Sequence, residues 1–260
     1  MKTIFVVALA LFSTSCSLLY ARFSYEFNQY APQSRIHYQD GAEDLAQAVA
    51  MHWNNSVSMV ENQQYASFKN IEDVKVYIFN DVKKYAAFSN TSGKGRGSST
   101  TNEIYISPAI REREHTLAAI LTHELSHVHL RQYLGTWSYA TRLPGWFVEG
   151  VAVVVSGGAG AEDVGVDEAK SAMKNGHIIQ PLVTGTWSGH ENASDYDMKP
   201  HMFYRQSAMF VHYLRDYNEA GFQEFYLKLL NKQSFESAIQ AVYGATAEQL
   251  WSQHLVAMDI

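Results

Sequence analysis

The stretch Leu117-Ala118-Ala119-Ile120-Leu121-Thr122-His123-Glu124-Leu125-Ser126-His127-Val128 places apolar residues at Leu117, Ile120, Leu121, Leu125 and Val128, a helical spacing. His123 and His127 are four residues apart, so both imidazoles project from one face of that helix and can reach a single ion. Zinc suits such a pair, because it takes neutral nitrogen ligands in a tetrahedral array and leaves a position for water. Glu124 is rotated away from the two histidines. A carboxylate there does not ligate, and it can take a proton from water as a general base.

A second stretch, Pro144-Gly145-Trp146-Phe147-Val148-Glu149-Gly150-Val151-Ala152, follows after a short connection. Pro144 and Gly145 open a helix from Trp146 to Val155, and Gly157 and Gly158 stop it. Glu149 is a costly charge in so apolar a helix unless something pairs with it. Gly150 and Ala152 allow close packing on the first helix, which brings the Glu149 carboxylate to the two histidines. His123, His127 and Glu149 are therefore the expected zinc ligands, one ion per chain, with Glu124 beside them.

Outward from this centre the periodicity changes. Val74, Val76 and Ile78 alternate in a strand over Val74–Phe79, and Glu103–Ser107 reads as a second strand. Asp81 is placed to cap a short helix through Phe88, and Asp44–Val60 has helical spacing. Asn90–Thr101, rich in Ser, Gly, Thr and Asn, reads as a loop. The zinc helix is expected from Ile110 to Leu134, with Gly135 ending it. Residues 17 to about 35 read as a linker or first extended segment, and Gly158–Lys199 as an irregular stretch that could close over the site. Helices are expected at His201–Tyr217 and Gly221–Leu230, then over Ser234–Met258 with a break at Tyr243–Gly244. Sheet first and helices second is an α+β order. The expected organisation is an export segment at 1–16 and one domain over 17–260. Within it, 17–109 form the mixed part, 110–156 the zinc-site helices and 157–260 a helical lobe.

Composition narrows the function classes. With 47% hydrophobic and 18% charged residues the chain is globular rather than disordered. A net charge of −6, with no basic stripe, argues against nucleic acid as a partner. At the N-terminus Lys2 precedes an apolar run from Ile4 to Phe12, then Ser13, Thr14, Ser15 and Cys16, the region order of an export signal. The run is too short to span a bilayer, which takes about 20 residues. Cys16 is the one cysteine in the chain, so no internal disulfide forms. This N-terminus resembles a bacterial lipoprotein signal, in which the cysteine becomes the lipidated first residue. It departs from that pattern at Ser13, where Leu is usual. An ordinary signal cleaved near Ser15 or Ala21 is the other reading. Ser17 resembles the residue type that sorts such proteins to an outer membrane. The resemblance implies a lipid-anchored protein of the cell envelope, facing the periplasm or exterior.

His123, Glu124, His127, Trp146, Glu149, Gly150 and Ala152 together resemble the gluzincin metallopeptidases, and within them the bacterial peptidase MA-like proteins. The two strands and the Tyr204-Arg205-Gln206-Ser207 segment extend the resemblance over roughly residues 70 to 255. A metzincin would need histidine where Tyr133 stands, and no suitable Asp follows the motif for an aspzincin. The resemblance implies a zincin-like fold, a peptide or protein substrate, and Glu149 as third ligand. It also implies an oxyanion donor on the late helix, with Tyr204 favoured and His201 in reserve. Glu103–Ser107 resembles the edge strand that aligns the substrate backbone. One departure is Val153, where some gluzincins carry an acidic residue that orients a zinc-bound histidine. Support for the histidines must then come from elsewhere, such as a backbone carbonyl. The expected activity is zinc-dependent hydrolysis of peptide bonds in the cell envelope. A zinc-stabilised binding lipoprotein without turnover and a metal-dependent amidase on a cell-wall substrate are the alternatives. Replacing the cysteine tests the anchor: Cys16→Ser should move the protein out of the membrane fraction, and a soluble, unlipidated wild type beginning elsewhere refutes the anchor.

Overall fold

The structure, a computed structural model, describes residues 24–183 and 192–260. The export segment with Cys16 and Ser17 lies outside the described residues, as do residues 184–191 of the expected irregular stretch. Five short strands form one mixed sheet: Asn28–Gln29 (β1), Ile36–Tyr38 (β2), Lys75–Ile78 (β3), Gly97–Ser99 (β4) and Glu103–Ile106 (β5). Their order is β1-β2-β3-β5-β4. The three central strands run parallel, and β1 and β4 are antiparallel to their neighbours. The helices are Glu43–Gln63 (α1), Val82–Ser89 (α2), Leu117–Leu134 (α3), Thr136–Arg142 (α4), Gly145–Val155 (α5), Val166–Lys174 (α6), Pro200–Tyr217 (α7), Glu219–Leu230 (α8), Phe235–Tyr243 (α9) and Ala247–Ala257 (α10). The fold is α+β, as expected.

Alternation in β3 and β5 sorts the two faces of the sheet. Val76, Ile78, Ile104 and Ile106 are fully buried in the main core beside Leu45, Val49 and Leu121. Tyr77, Phe79 and Tyr105 point the other way, into a smaller aromatic cluster that Tyr85 and Phe88 of α2 complete. Asp81 caps α2 by accepting from the Lys84 amide at 2.8 Å, as its position in the sequence predicts.

The structure corrects the expectations at five places. Glu103–Ile106 is not an edge strand, because β4 pairs with it on the outside, Ser98 opposite Tyr105. β4 falls in the segment read as loop: Gly-Ser-Ser carries no apolar alternation, and backbone pairing makes it a strand. The helix expected from Ile110 begins as α-helix at Leu117. Pro108–Thr116 forms tighter 3-10 turns, with non-helical backbone at Arg113. Part of Gly158–Lys199 is ordered as α6, which buries Ala169 and Met173. In addition, the connection before Pro144 holds a helix, α4.

Helix α5 is the centre of the second half. It packs on α3 and, most extensively, on α7, and every residue in it except Glu149 is buried. Gly150 sets that approach. A Cβ there would stand 2.6 Å from the Ser207 carbonyl oxygen and 2.8 Å from Val211 Cγ2. Ala would gain roughly 1 kcal/mol of helix propensity over Gly, but overpacking against backbone costs about 1–3 kcal/mol. Gly150→Ala should therefore be net destabilising in urea unfolding. A variant as stable as the parent would mean that α5 and α7 can separate at little cost.

Candidate metal centre

His123 and His127, one turn apart on α3, turn their Nε2 atoms toward each other at 3.1 Å. Glu149, from the middle of α5, brings Oε2 to 3.4 Å from His123 Nε2 and 3.5 Å from His127 Nε2. The three residues predicted as ligands thus converge, and they form the group among the described residues whose atoms could hold a metal ion. Both histidines are buried. Glu149 Oε2 is buried without a hydrogen-bond partner of good geometry, and an unpaired buried carboxylate oxygen is costly.

Two neighbours settle how the imidazoles sit. His123 Nδ1 lies 3.1 Å from the Ala159 carbonyl oxygen. A carbonyl only accepts, so Nδ1 carries the hydrogen and Nε2 presents its lone pair to the cluster. His127 Nδ1 lies 3.1 Å from the Tyr139 hydroxyl. With a cation in the cluster, Nδ1–H of His127 donates to Tyr139 Oη and its Nε2 lone pair also faces inward. Ala159 and Tyr139 take the place of the acidic partner that Val153 cannot supply. The Ala159 carbonyl is a support of the kind expected, at a position the sequence does not mark, whereas Tyr139 sits in a helix that the sequence did not announce.

The donor set fits zinc. Two imidazole nitrogens and one carboxylate oxygen at about 2.0–2.1 Å from a tetrahedral ion stand roughly 3.3 Å from one another. The observed separations of 3.1, 3.4 and 3.5 Å bracket that value. For the protein groups by themselves, the electrostatics are strained. Burial would lower the His123 imidazole, but its contacts with Glu149 carry it above its ordinary value. Burial would raise the Glu149 carboxyl, yet the imidazoles hold it far below its usual range. The cluster favours positive charge at its centre.

Glu124 is buried next to the ligands. Its Oε2 accepts from Ser99 Oγ of β4 at 2.7 Å. Gly97 passes so close that a Cβ there would lie 3.0 Å from Glu124 Oε1 and 2.9 Å from Ile120 Cγ2. Glu124 and His123 line a cleft of 410 Å³ with Arg96, Gly160, His201 and Tyr204. A second cavity of 300 Å³ opens on the Glu149 side, bounded by Ala193, Met198, Phe203 and Tyr204. Tyr204 therefore borders both.

Tyr204 comes from α7, its ring 6.2 Å from that of His123. The neighbouring Glu149 charge, then burial, push its hydroxyl well above the usual phenol value. Its place depends on Gly160, where φ is +88° and a Cβ would stand 2.8 Å from Tyr204 Cδ2. The loop holding Gly160 also delivers the Ala159 carbonyl. Glu162 ties that loop to Arg96, ahead of β4, through two contacts of 2.8 Å. His201, one turn before Tyr204, accepts from the Asp163 amide at Nδ1, 3.2 Å, which leaves its hydrogen on Nε2. Of the other histidines, His129 is buried with Nε2 against the Ala66 carbonyl, a packing role. His115 and His177 are exposed, and His190 lies outside the described residues.

A sequence model of the family described as peptidase of plants and bacteria matches residues 24–254, a span that holds every residue of this centre. No curated protein matches the chain. Cation binding is directly measurable as stability: a divalent ion at about a hundred times its Kd adds roughly 3 kcal/mol to a fold with a prebuilt site. The melting temperature should rise with the ion and fall with a chelator, and Glu149→Ala should lose most of that difference. An equal response from Glu149→Ala would remove Glu149 from the ligand set.

Proposed function

The chain belongs to the family of peptidases of plants and bacteria, and from that premise we propose that it is a zinc metallopeptidase of gluzincin type. One observation carries the reading. Two imidazole nitrogens and a buried carboxylate oxygen converge within 3.1–3.5 Å, beside a second carboxylate that lines an open cleft. Zinc held by His123, His127 and Glu149 would supply Lewis acidity, polarising the scissile carbonyl and lowering the pKa of water beside it.

The remaining work falls to side chains. Glu124 takes a proton from the attacking water as its oxygen bonds to the carbonyl carbon. It then passes that proton to the amide nitrogen as the C–N bond breaks, which releases an amine and a carboxylic acid. The acid's proton moves on to the amine to leave ammonium and carboxylate. Ser99 holds Oε2 during both transfers. Negative charge develops on the carbonyl oxygen between these events, and a neutral donor aimed at it stabilises the transition state. What supports Tyr204 in that role is that it borders the cavities on both sides of the cluster, whereas His201 borders only the one beside Glu124. The substrate backbone aligns along β4, the sheet edge next to Glu124. Given the N-terminal sequence, the enzyme works in the cell envelope, held to the membrane by lipid at Cys16.

Turnover of a mixed peptide set tests the mechanism. Glu124→Gln keeps the shape but cannot accept the proton, so it should retain zinc and lose more than about 10²-fold in kcat. Tyr204→Phe keeps the ring, and losing one oxyanion donor costs about 10² to 10³ in kcat with little change in KM. Wild-type turnover in Glu124→Gln would refute the base assignment. Near-normal turnover in Tyr204→Phe, with a large loss in His201→Ala, would transfer the donor role to His201.

A further inference from the structure

Arg131 lies on α3 four residues beyond His127 and seven beyond Glu124, spacings that bring it below both side chains along the helix. Its guanidinium meets two side chains that in turn touch those residues. Nη1 donates to Ser99 Oγ at 3.0 Å, and the planar group lies over the Tyr139 ring, 4.3 Å from its centre. Ser99 is the residue bonded to Glu124, and Tyr139 the one bonded to His127. We propose that Arg131 is a positioning residue for both halves of the centre: through Ser99 it orients the Glu124 carboxylate, and by stacking on Tyr139 it fixes the hydroxyl that meets His127.

The direction of each hydrogen bond follows from chemistry. A guanidinium has donors and no acceptor. Ser99 Oγ must therefore accept from Arg131, and its own hydrogen points to the remaining acceptor, Glu124 Oε2. Without Arg131 the hydroxyl can rotate, and the carboxylate loses a fixed donor. Only Oε2 is engaged in this way, so the other oxygen of Glu124 is available for proton transfer. At Tyr139 a cation over the ring face is attracted by its quadrupole, a contribution of about 0.5–2 kcal/mol depending on desolvation. That contact restrains the ring, and with it the oxygen 3.1 Å from His127 Nδ1. Arg is needed for both jobs, because a lysine ammonium offers a donor to Ser99 but no planar group to stack.

The proposal rests on the metallopeptidase reading, and its test separates the two. Zinc affinity by chelator competition and the constants kcat and KM are measured for the wild type, Ser99→Ala, Tyr139→Phe, Arg131→Met and Arg131→Lys. Ser99→Ala should lower kcat about 10-fold or more, the scale of a displaced catalytic group, with KM and zinc affinity unchanged. Tyr139→Phe should weaken zinc about 10-fold, as the loss of a partner behind a ligating histidine does. Arg131→Met should show both losses, and Arg131→Lys should recover part of kcat but not the zinc affinity. In the pairs Arg131→Met/Ser99→Ala and Arg131→Met/Tyr139→Phe the second change should add little to kcat and zinc affinity, respectively. Effects that add in full, or an Arg131→Met protein within about 2-fold of wild type in both readouts, would overturn the proposal. A wild type that binds no zinc would overturn the metallopeptidase reading, and the role of Arg131 with it. Ser99→Ala and Tyr139→Phe each remove one hydroxyl and keep the fold even if Arg131→Met does not.

Discussion

Three electron-rich atoms, two imidazole nitrogens and a carboxylate oxygen, are held 3.1–3.5 Å apart in a largely dehydrated place. Burying one carboxylate costs several kcal/mol even after relaxation, and aiming lone pairs at one another adds to that. A cation between them would convert each repulsion into a bond, and the strain of the protein groups by themselves has to be offset by packing, as α5 shows. Its ten residues other than Glu149 are buried, at about 1.5–3 kcal/mol for each large apolar side chain. One strained carboxylate can be tolerated on a helix whose other residues are all buried.

Holding α3 in register is the complementary requirement, because a slide of one residue would rotate both histidines off the cluster. The back of α3 meets α1 and the turn after it through paired polar groups as well as aliphatic side chains. Thr122 donates to Ser56 at 2.9 Å, Gln64 to Ser126 at 2.9 Å, and His129 meets the Ala66 carbonyl. Aliphatic contacts tolerate sliding, whereas buried hydrogen bonds do not, since a mismatched pair leaves desolvated groups unsatisfied. The polar spine therefore adds specificity of register to a helix whose core face supplies the stability.

The centre was legible because its chemistry is periodic. Two histidines at helical spacing, a glutamate adjacent to the first, and a lone acid in an apolar helix each break a pattern that the neighbours establish. The parallel strands β3 and β5 were legible for the same reason. What the sequence hid has no side-chain period. β4 is Gly-Ser-Ser and is made a strand by pairing with β5. The His123 support is a carbonyl, and every residue has one. α4 follows Gly135 directly, so a glycine that ends one helix masked the start of the next. Arg131 carried a faint signal, four residues after His127 on the ligand face, but the same spacing is common for a solvated arginine. Only its two contacts distinguish it.

The elements divide by what each must tolerate. In the proposed reaction the groups that carry charge stand on α3 and α5, helices whose positions are fixed by the core. The groups proposed to meet a substrate come from β4, the loop after α5 and the start of α7, outside the two helices that carry the ligands. These outer parts still have to be placed to within a fraction of an ångström, since Gly97 and Gly160 leave no room for a side chain between them and Glu124 or Tyr204. The Arg96–Glu162 pair does this, joining β4 to the loop with side chains only 14% and 23% exposed. A surface ion pair contributes about 0–1 kcal/mol to stability, too little to matter beside the core. One guanidinium nitrogen of Arg96 reaches both Glu162 oxygens while the other donates to Thr116, so the pair instead fixes the spacing between two backbone segments. In this molecule the charged pairs set geometry, and the apolar core around α5 supplies the energy that holds it.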